Sequence, residues 1–131
     1  KTGECVIKDN MRKYYSDIID ADLIVLASPV YFSSLTGVML NFLSRFQVFF
    51  LNRDIIKKKK KAVLLLTGGG ATKKLDIIER QTKIALTTIK GELEETAAFM
   101  ETDKKSVTDS EEIKIRLKEI KQKYGLMKNS R

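Results

Sequence analysis

Two short apolar runs constrain the fold of this chain more than any other feature. Residues 21–27 and 62–67 are almost continuously apolar, and each run stops abruptly, the first at Pro29 and the second at a glycine triplet. Runs without polar alternation predict strands that are buried on both faces, as in a parallel sheet covered by helices. We expect Pro29 to end the first strand because proline cannot donate to a sheet ladder.

The segments around these two strands have apolar residues at helical spacing. A third, weaker strand is predicted at residues 93–100. Such alternation of helices and strands indicates an α/β domain with a parallel sheet and right-handed crossovers. Four helices are predicted, at 10–19, 35–50, 73–90 and from about 109 to 124. Asp9 caps the first, Gly91 stops the third, and the last runs from a capping box of Thr108 and Glu111 to Gly125.

The predicted sheet is small, because a doubly wound domain usually has about five strands. The sequence also opens at Lys1 rather than at a methionine. We therefore expect a single domain over residues 1–131 that lacks an opening strand-helix-strand unit.

The composition indicates a globular protein that needs neither disulfides nor a structural metal. Of the 131 residues, 43% are hydrophobic, which is enough for a core in a domain of this size. Cys5 is the only cysteine, so we expect a reducing, cytoplasmic location. The longest apolar stretch, at 35–50, is too short and too polar to cross a membrane, and we expect no membrane partner.

The charged residues exclude some function classes. The net charge of +8 would suit nucleic acid, but it includes the lysine run at 57–61 and otherwise alternates with acids, as solvated faces do. We therefore expect no nucleic-acid partner. There is no histidine, which excludes Ser-His-Asp and Cys-His catalysis and His-ligated zinc within the chain.

Two loops are predicted at the carboxyl edge of the sheet, where α/β domains bind ligands. The loop at 28–34 carries Tyr31 and Phe32, two planar side chains that could flank a planar ligand. The loop at 68–72 carries three glycines, which let backbone N–H groups approach a ligand edge. Both loops could equally be structural, the first packing under a helix and the second forming a turn. The glycine loop is not a Walker A motif, because the required Gly-Lys-Ser/Thr is missing.

The segment at 21–32 with Ser28-Pro29-Val30-Tyr31-Phe32, and then Thr36-Gly37 and Phe42 to Arg45, resembles the NAD(P)H-dependent FMN reductase and iron-sulfur flavoprotein family. Upstream, Gly3-Glu4-Cys5 and residues 8–11 are similar to the family's Gly-x-Cys and Asp-Asp-Met segments. Asn41 and Ser44 depart from the family's common lysine and aspartate, whereas Arg45 is retained.

The resemblance implies a flavodoxin-like three-layer sandwich, an α/β fold with a parallel sheet, in which strands 1 and 2 of the family are missing. It also implies an enzyme that passes electrons from NAD(P)H through FMN to a small-molecule or protein acceptor. The phosphate-binding loop of the family follows strand 1, so the FMN site of this chain alone should be incomplete. The implied cofactor-binding residues are Ser28, Pro29, Val30, Tyr31, Phe32, Thr67, Gly68, Gly69 and Gly70.

No catalytic residue is predicted, because the cofactor carries the hydride chemistry. In iron-sulfur members of the family a cysteine at the position of Cys5 ligates a cluster. A four-iron cluster needs four ligands, so the other three would have to come from upstream sequence. A plain structural thiol is therefore the favoured interpretation of Cys5, which stays a weak candidate for an iron-sulfur ligand, and no metal site is predicted.

Two alternatives remain at this point. A flavin-free signalling module of receiver type would need acids at the strand ends, where this chain has Ser28 and Thr67. A flavin-free module that only binds partner chains stays open. We also expect a homo-oligomer, because the helix at 35–50 has more apolar surface than one sheet can bury, with Phe46, Phe49 and Phe50 as candidate contacts.

Overall fold

A four-stranded sheet forms the centre of the protein. The computed structural model describes residues 5–71 and 74–126. The strands lie in the order β2-β1-β3-β4; β1, β3 and β4 are parallel, and the short β2 is antiparallel to β1. This arrangement confirms the α/β class. The strands are β1 (Leu23–Tyr31), β2 (Ser34–Leu35), β3 (Lys60–Thr67) and β4 (Gly91–Phe99).

Helices cover the two faces of the sheet unequally. Helices α1 to α4 bury one face in the main core, whereas α5 packs on the opposite face against Val63 and Ala97. Among the described residues, none of the helices is long and apolar enough to cross a membrane. The helices are α1 (Tyr15–Asp20), α2 (Gly37–Ser44), α3 (Gln47–Leu51), α4 (Asp76–Thr87) and α5 (Glu111–Lys123), with 3-10 helices at Asn10–Tyr14, Arg53–Ile55 and Val107–Asp109.

The two strands predicted to be buried on both faces differ. Strand β3 meets the prediction, since Ala62, Val63 and Leu64 are all fully buried although they alternate between the faces. Strand β1 does not: Leu26 is buried, but the next residue on the other face, Ala27, is exposed. The reason is that α5 packs mainly on β3 and β4: of β1, Leu23 contacts the α5 cluster, whereas Val25 and Ala27 stay exposed.

Pro29 does not end β1, contrary to the sequence prediction. It pairs in register with Thr67, and the strand continues to Tyr31. Proline is tolerated here because no strand among the described residues pairs with Pro29 on the other side of β1, so its missing N–H costs no ladder bond there. Strand β2 pairs with this edge only at Val30 and Tyr31, so the stretch before it is open among the described residues.

The predicted helix at 35–50 is two helices preceded by a strand residue. Leu35 belongs to β2, Thr36 caps α2 by accepting from the Met39 N–H, and the chain bends after Ser44 before α3 begins. The bend turns Phe46 and Phe49 into the core, where each is about 1% exposed. The proposed oligomer contacts at Phe46 and Phe49 are therefore wrong, and of the three only Phe50 is exposed.

Several helix ends also differ from the sequence prediction. Helix α4 begins at Asp76, and the predicted start at residue 73 lies outside the described residues. Gly91 is the first residue of β4, while Lys90 adopts the positive φ of 54° that turns the chain. Ser110 caps α5 instead of Thr108. The cap at Asp9 is confirmed, and Gly125 has the left-handed φ of 67° expected after a helix.

One lysine of the run at 57–61 is a core residue rather than part of a solvated face. Lys60 is about 2% exposed, and its Nζ donates to the carbonyl of Ile19 at 2.5 Å and to that of Ala21 at 3.2 Å. Burial lowers the pKa of the Lys60 amine. This lysine ties the end of α1 to the start of β3.

Glu95 connects β4 to α5. Its carboxylate accepts hydrogen bonds from Arg116, from Lys123 at 2.7 Å and from the Tyr124 hydroxyl at 3.3 Å, and its side chain is only 8% exposed. The hydrogen bond from Lys123 lowers the pKa of Glu95, against the burial that raises it. The charged form of Glu95 therefore stabilises the fold.

We predict that Phe46→Ala destabilises the protein by about 3–5 kcal/mol, because it leaves a cavity between the rings of Phe42 and Phe49. The matched variant Phe50→Ala should cost less than about 1 kcal/mol, since that ring is half-exposed under the Arg53 guanidinium. Urea unfolding of both variants measures the difference. Equal losses would show that α3 does not turn as described.

We predict that Glu95→Gln lowers the free energy of unfolding by about 1–3 kcal/mol at pH 7, because it removes charge-assisted hydrogen bonds from a buried site. The wild-type advantage is present above the unfolded glutamate pKa of about 4.3 and is lost as the pH falls through the lowered folded pKa. Thermal melts from pH 7 to pH 3 test this. The exposed neighbour Glu92→Gln serves as control, and a constant difference at all pH values would contradict the assignment.

Candidate functional site

The two loops predicted to bind a ligand lie side by side at the carboxyl edge of the sheet. Parallel pairing of β1 with β3 sets Pro29 opposite Thr67, so both chains leave the sheet at the same place. A Cβ atom built on Gly68 would lie 3.8 Å from the Cβ of Val30. The structure thus places the two predicted segments, 28–32 and 67–70, at the same edge of the sheet, and their binding of a cofactor stays a prediction.

Most of the first loop is a strand and a tight hairpin. Ser28 to Tyr31 belong to β1, and a two-residue turn of Phe32 and Ser33 leads into β2. These two residues have φ of 51° and 57°, the pattern of a type I′ turn that usually carries glycine or asparagine. A phenylalanine held at positive φ is strained, and such strain is concentrated at functional sites.

The side chains of the first loop divide between core and solvent. Ser28 and Val30 are buried, whereas Pro29, Tyr31 and Phe32 are exposed, Tyr31 by 62% and Phe32 completely. The exposed rings are therefore the parts of this loop that can contact a ligand.

Ser28 has a structural task that the sequence did not reveal. Its Oγ accepts from the Thr36 N–H at 3.3 Å and lies 3.4 Å from the Thr36 hydroxyl, which in turn accepts from the Met39 N–H. These contacts fix the start of α2 to the end of β1. Ser28 thus supports the hairpin from the buried face of β1, and its side chain does not face solvent.

The glycine loop lies close against the chain that follows β4. A Cβ on Gly68 would come within 2.7 Å of the Met100 sulfur, and one on Gly69 would overlap the Asp103 carboxylate. The carbonyls of Gly68 and Gly70 accept from the N–H groups of residues 102 and 101, both at 3.1 Å. A side chain at position 68 or 69 would have to displace the end of the Met100 or the Asp103 side chain, so glycine lets the loop lie close to this segment.

Two N–H groups of this loop remain available. The Gly68 N–H donates to the Phe99 carbonyl at 3.0 Å, but no described group accepts from the N–H of Gly69 or Gly70. Residue 72, the last of the predicted loop, lies outside the described residues. The edge thus offers two N–H donors on one loop and two exposed aromatic rings on the other.

A polar cluster at the far end of α2 was missed by sequence reasoning. Arg45 holds Asp9 with two bonds, Nη1 to Oδ2 at 2.7 Å and Nη2 to Oδ1 at 3.1 Å, and also reaches the Tyr15 hydroxyl at 3.4 Å. The bond from Arg45 lowers the pKa of Asp9. No local pattern could reveal this pair, because 36 residues separate its members.

Cys5 lies beside the same cluster. A hydrogen bond from the Ile7 N–H, and then one from the Tyr15 hydroxyl, lower the pKa of the Cys5 thiol. A cavity of about 510 Å³ next to it is lined by Ile7, Asp9, Met11, Asn41, Phe42, Ser44 and Arg45. Within residues 5–71 and 74–126, no three metal-ligating side chains come together, and Gly3 and Glu4 lie outside the described residues.

Three solved structures share this fold. A flavone reductase superposes with a TM-score of 0.68 at 17% identity, over 86% of this chain and 45% of its own. An NADH:FMN oxidoreductase gives 0.58 at 19% identity, over 98% of this chain and 65% of its own. The Trp repressor binding protein from Bacillus subtilis gives 0.56 at 14% identity, over 79% and 67%. These likenesses confirm the flavodoxin-like fold.

The chain thus spans about half to two-thirds of the length of these proteins. No curated protein sequence matches it. The sequence model of the NADPH-dependent FMN reductase family matches residues 1–101, which include both loops at the sheet edge. The chain belongs to the NADPH-dependent FMN reductase family.

Proposed function

We propose that this protein is a flavin-linked oxidoreductase that binds FMN at the edge formed by residues 28–32 and 67–70, and that electrons pass there from NAD(P)H to an acceptor. The observation that carries the proposal is the convergence of the two loops in a chain of this family. The acceptor is a small molecule or a protein. A reducing cytoplasmic location suits a chain with one cysteine.

The residues at this edge fit the isoalloxazine ring of the cofactor. Tyr31 and Phe32 offer exposed planar faces, and Pro29 adds an exposed apolar surface beside them. The N–H groups of Gly69 and Gly70 can donate to the carbonyl oxygens on the ring edge. Apolar faces with a few fixed polar groups are the usual lining of a cofactor site.

The same edge does not fit the phosphate of FMN. Residues 23–44 contain no lysine or arginine, and the charged group nearest to Gly69 is the Asp103 carboxylate. A dianionic phosphate needs cationic side chains or several aimed N–H groups, and a carboxylate repels it. We infer that the FMN site of this chain is incomplete, with the ring-binding part present.

The protein's own part in the reaction is placement. When bound, FMN supplies the hydride and electron chemistry. Exposed rings at 31 and 32 orient the flavin and exclude water from one side, while the glycine N–H groups hold its polar edge. No side chain is required as acid or base at this edge, so we assign no catalytic residue.

We propose FMN as the redox cofactor without an iron-sulfur cluster. The chain has one cysteine, which could supply one of the four ligands that a four-iron cluster needs. Its lowered pKa has a local explanation in the donors from Ile7 and Tyr15. Cys5 therefore needs no cluster to account for its surroundings.

A flavin-free module that associates with other chains is the second candidate function. It is favoured by the exposed apolar face of β1, where Val25 and Ala27 lack a cover among the described residues. The absorbance spectrum of the natively purified protein separates the two functions. Flavin bands in a stoichiometric ratio support the oxidoreductase, and their absence together with failed reconstitution supports the module.

We predict that the chain binds riboflavin and FMN with dissociation constants that agree within about threefold, because the two ligands share the ring and differ by the phosphate. Flavin fluorescence quenching or calorimetry measures both constants. FMN binding that is much tighter than riboflavin binding would show a phosphate site in this chain. If neither ligand binds, the flavin ring binds at another place or does not bind to this chain.

We predict that Tyr31→Ala weakens the binding of both flavins about three- to tenfold, because it removes an aromatic contact with the ring. Tyr14→Ala, which removes a similarly exposed tyrosine from the 3-10 helix before α1, is the matched control. Gly69→Leu should also weaken binding by filling the edge and displacing Asp103. Gly37→Ala is its control, because a Cβ there meets nothing within 4 Å.

A further inference from the structure

The turn after β4 carries a carboxylate that lies against the glycine loop. A Cβ built on Gly69 would overlap all three carboxyl atoms of Asp103, so the carboxylate is in contact with this glycine. Asp103 is exposed, and no described group forms an ion pair or a hydrogen bond with its side chain. The carboxylate is therefore available to a ligand that binds at Gly69.

The backbone on both sides of Asp103 is fixed beside the loop. The carbonyls of Gly68 and Gly70 accept from the N–H groups of the two residues before it, both at 3.1 Å. Directly after it, the Lys104 N–H donates to the Glu101 carbonyl at 2.9 Å, and Glu101 has a φ of 60° that turns the chain. Asp103 is thus held at the loop by the backbone of its neighbours and by no bond of its own side chain.

The lysine next to Asp103 does not neutralise its charge. The Nζ of Lys104 forms an ion pair with the carboxylate of Glu101 instead. An ionised carboxylate can only accept hydrogen bonds. Asp103 therefore adds a charged acceptor to a loop whose other free groups are donors.

The free donors are on the glycine that Asp103 touches and on the next residue. The N–H groups of Gly69 and Gly70 have no acceptor among the described residues. Two donors and one acceptor thus belong to two adjacent residues and the side chain in contact with them. A ligand that pairs with all three needs two acceptors and one donor close together.

The pyrimidine edge of the isoalloxazine ring has this combination of groups. It presents the carbonyl oxygens at C2 and C4, which accept, and between them the N3–H, which donates. If the glycine N–H groups bind the two oxygens, the N3–H still needs an acceptor, because a donor that loses water without gaining a partner weakens binding.

We propose that Asp103 accepts a hydrogen bond from the N3–H of the flavin ring and so selects ligands that carry a donor at this position. This inference rests on the proposed function, since it concerns the same edge. A hydrogen bond to a charged acceptor is about twice as strong as one between neutral groups. A site built in this way rejects an analogue without the donor, because its own polar group is then left unpaired. Asp103 determines specificity and takes no part in the hydride step.

Other ligand chemistries fit this carboxylate less well. It repels an anion such as a phosphate. A metal ion needs several ligands, and no three His, Cys, Asp or Glu side chains come together in the described part of the chain. A neutral ring edge with an N–H is the group that pairs with both Asp103 and the glycine donors.

Binding of riboflavin and of 3-methylriboflavin to the full chain tests the proposal. The methyl group replaces the hydrogen on N3 and leaves both carbonyl oxygens in place. We expect the methylated flavin to bind the wild-type protein at least about tenfold more weakly than riboflavin. Fluorescence quenching or calorimetry measures both dissociation constants.

Two variants of Asp103 identify the acceptor. Asp103→Leu keeps the bulk of the side chain without an acceptor, so riboflavin should bind about tenfold more weakly and the two flavins should agree within about threefold. Asp103→Asn keeps an acceptor oxygen and should recover part of the preference for riboflavin. Asp54→Leu removes an equal charge from an exposed residue before β3 and should leave both constants unchanged. Circular dichroism verifies that the variants fold.

Three results would overturn the proposal. Equal affinity of the wild-type protein for the two flavins would show that the N3–H has no acceptor here, while flavin binding itself would stand. Undiminished discrimination in Asp103→Leu would assign the N3–H to a different acceptor. Failure of riboflavin to bind the wild-type protein would remove the flavin site and the role of Asp103 together.

Discussion

The parallel pairing of β1 with β3 is the interaction on which the rest of the structure depends. Strand β3 is buried on both faces, so its backbone groups can be satisfied only by neighbouring strands. Because the register sets Pro29 opposite Thr67, it places the hairpin and the glycine loop at one edge. The candidate flavin site is thus a consequence of how the core strand is paired.

The glycines and the aromatic residues at that edge differ in whether the fold requires them. The glycines at 68 and 69 lie against the side chains of Met100 and Asp103, so their small size also serves packing. The aromatic rings have no such structural reason, since Phe32 is strained and completely exposed. A residue that costs stability and contacts nothing within the described chain is the better indicator of ligand binding.

Electrostatics divides the molecule into two kinds of surface. Ion pairs fix the last strand and helix, with Glu95 held by Arg116 and Lys123 from α5. The segment at 23–44, which forms β1, β2 and α2, contains no charged residue, and it carries both exposed rings. The rings that we propose to contact flavin therefore lie in the part of the chain that carries no charge.

The sequence by itself determined the α/β class, the double burial of β3 and the neighbouring loops, because apolar runs, glycines and strand order act locally or through simple topology. Tertiary structure alone decided the rest. Pro29 continues a strand because no described strand pairs with it on the other side, Phe46 is buried because the chain bends after α2, and Arg45 finds Asp9 across 36 residues. Each depends on which distant segments meet, and a local pattern carries no information about that.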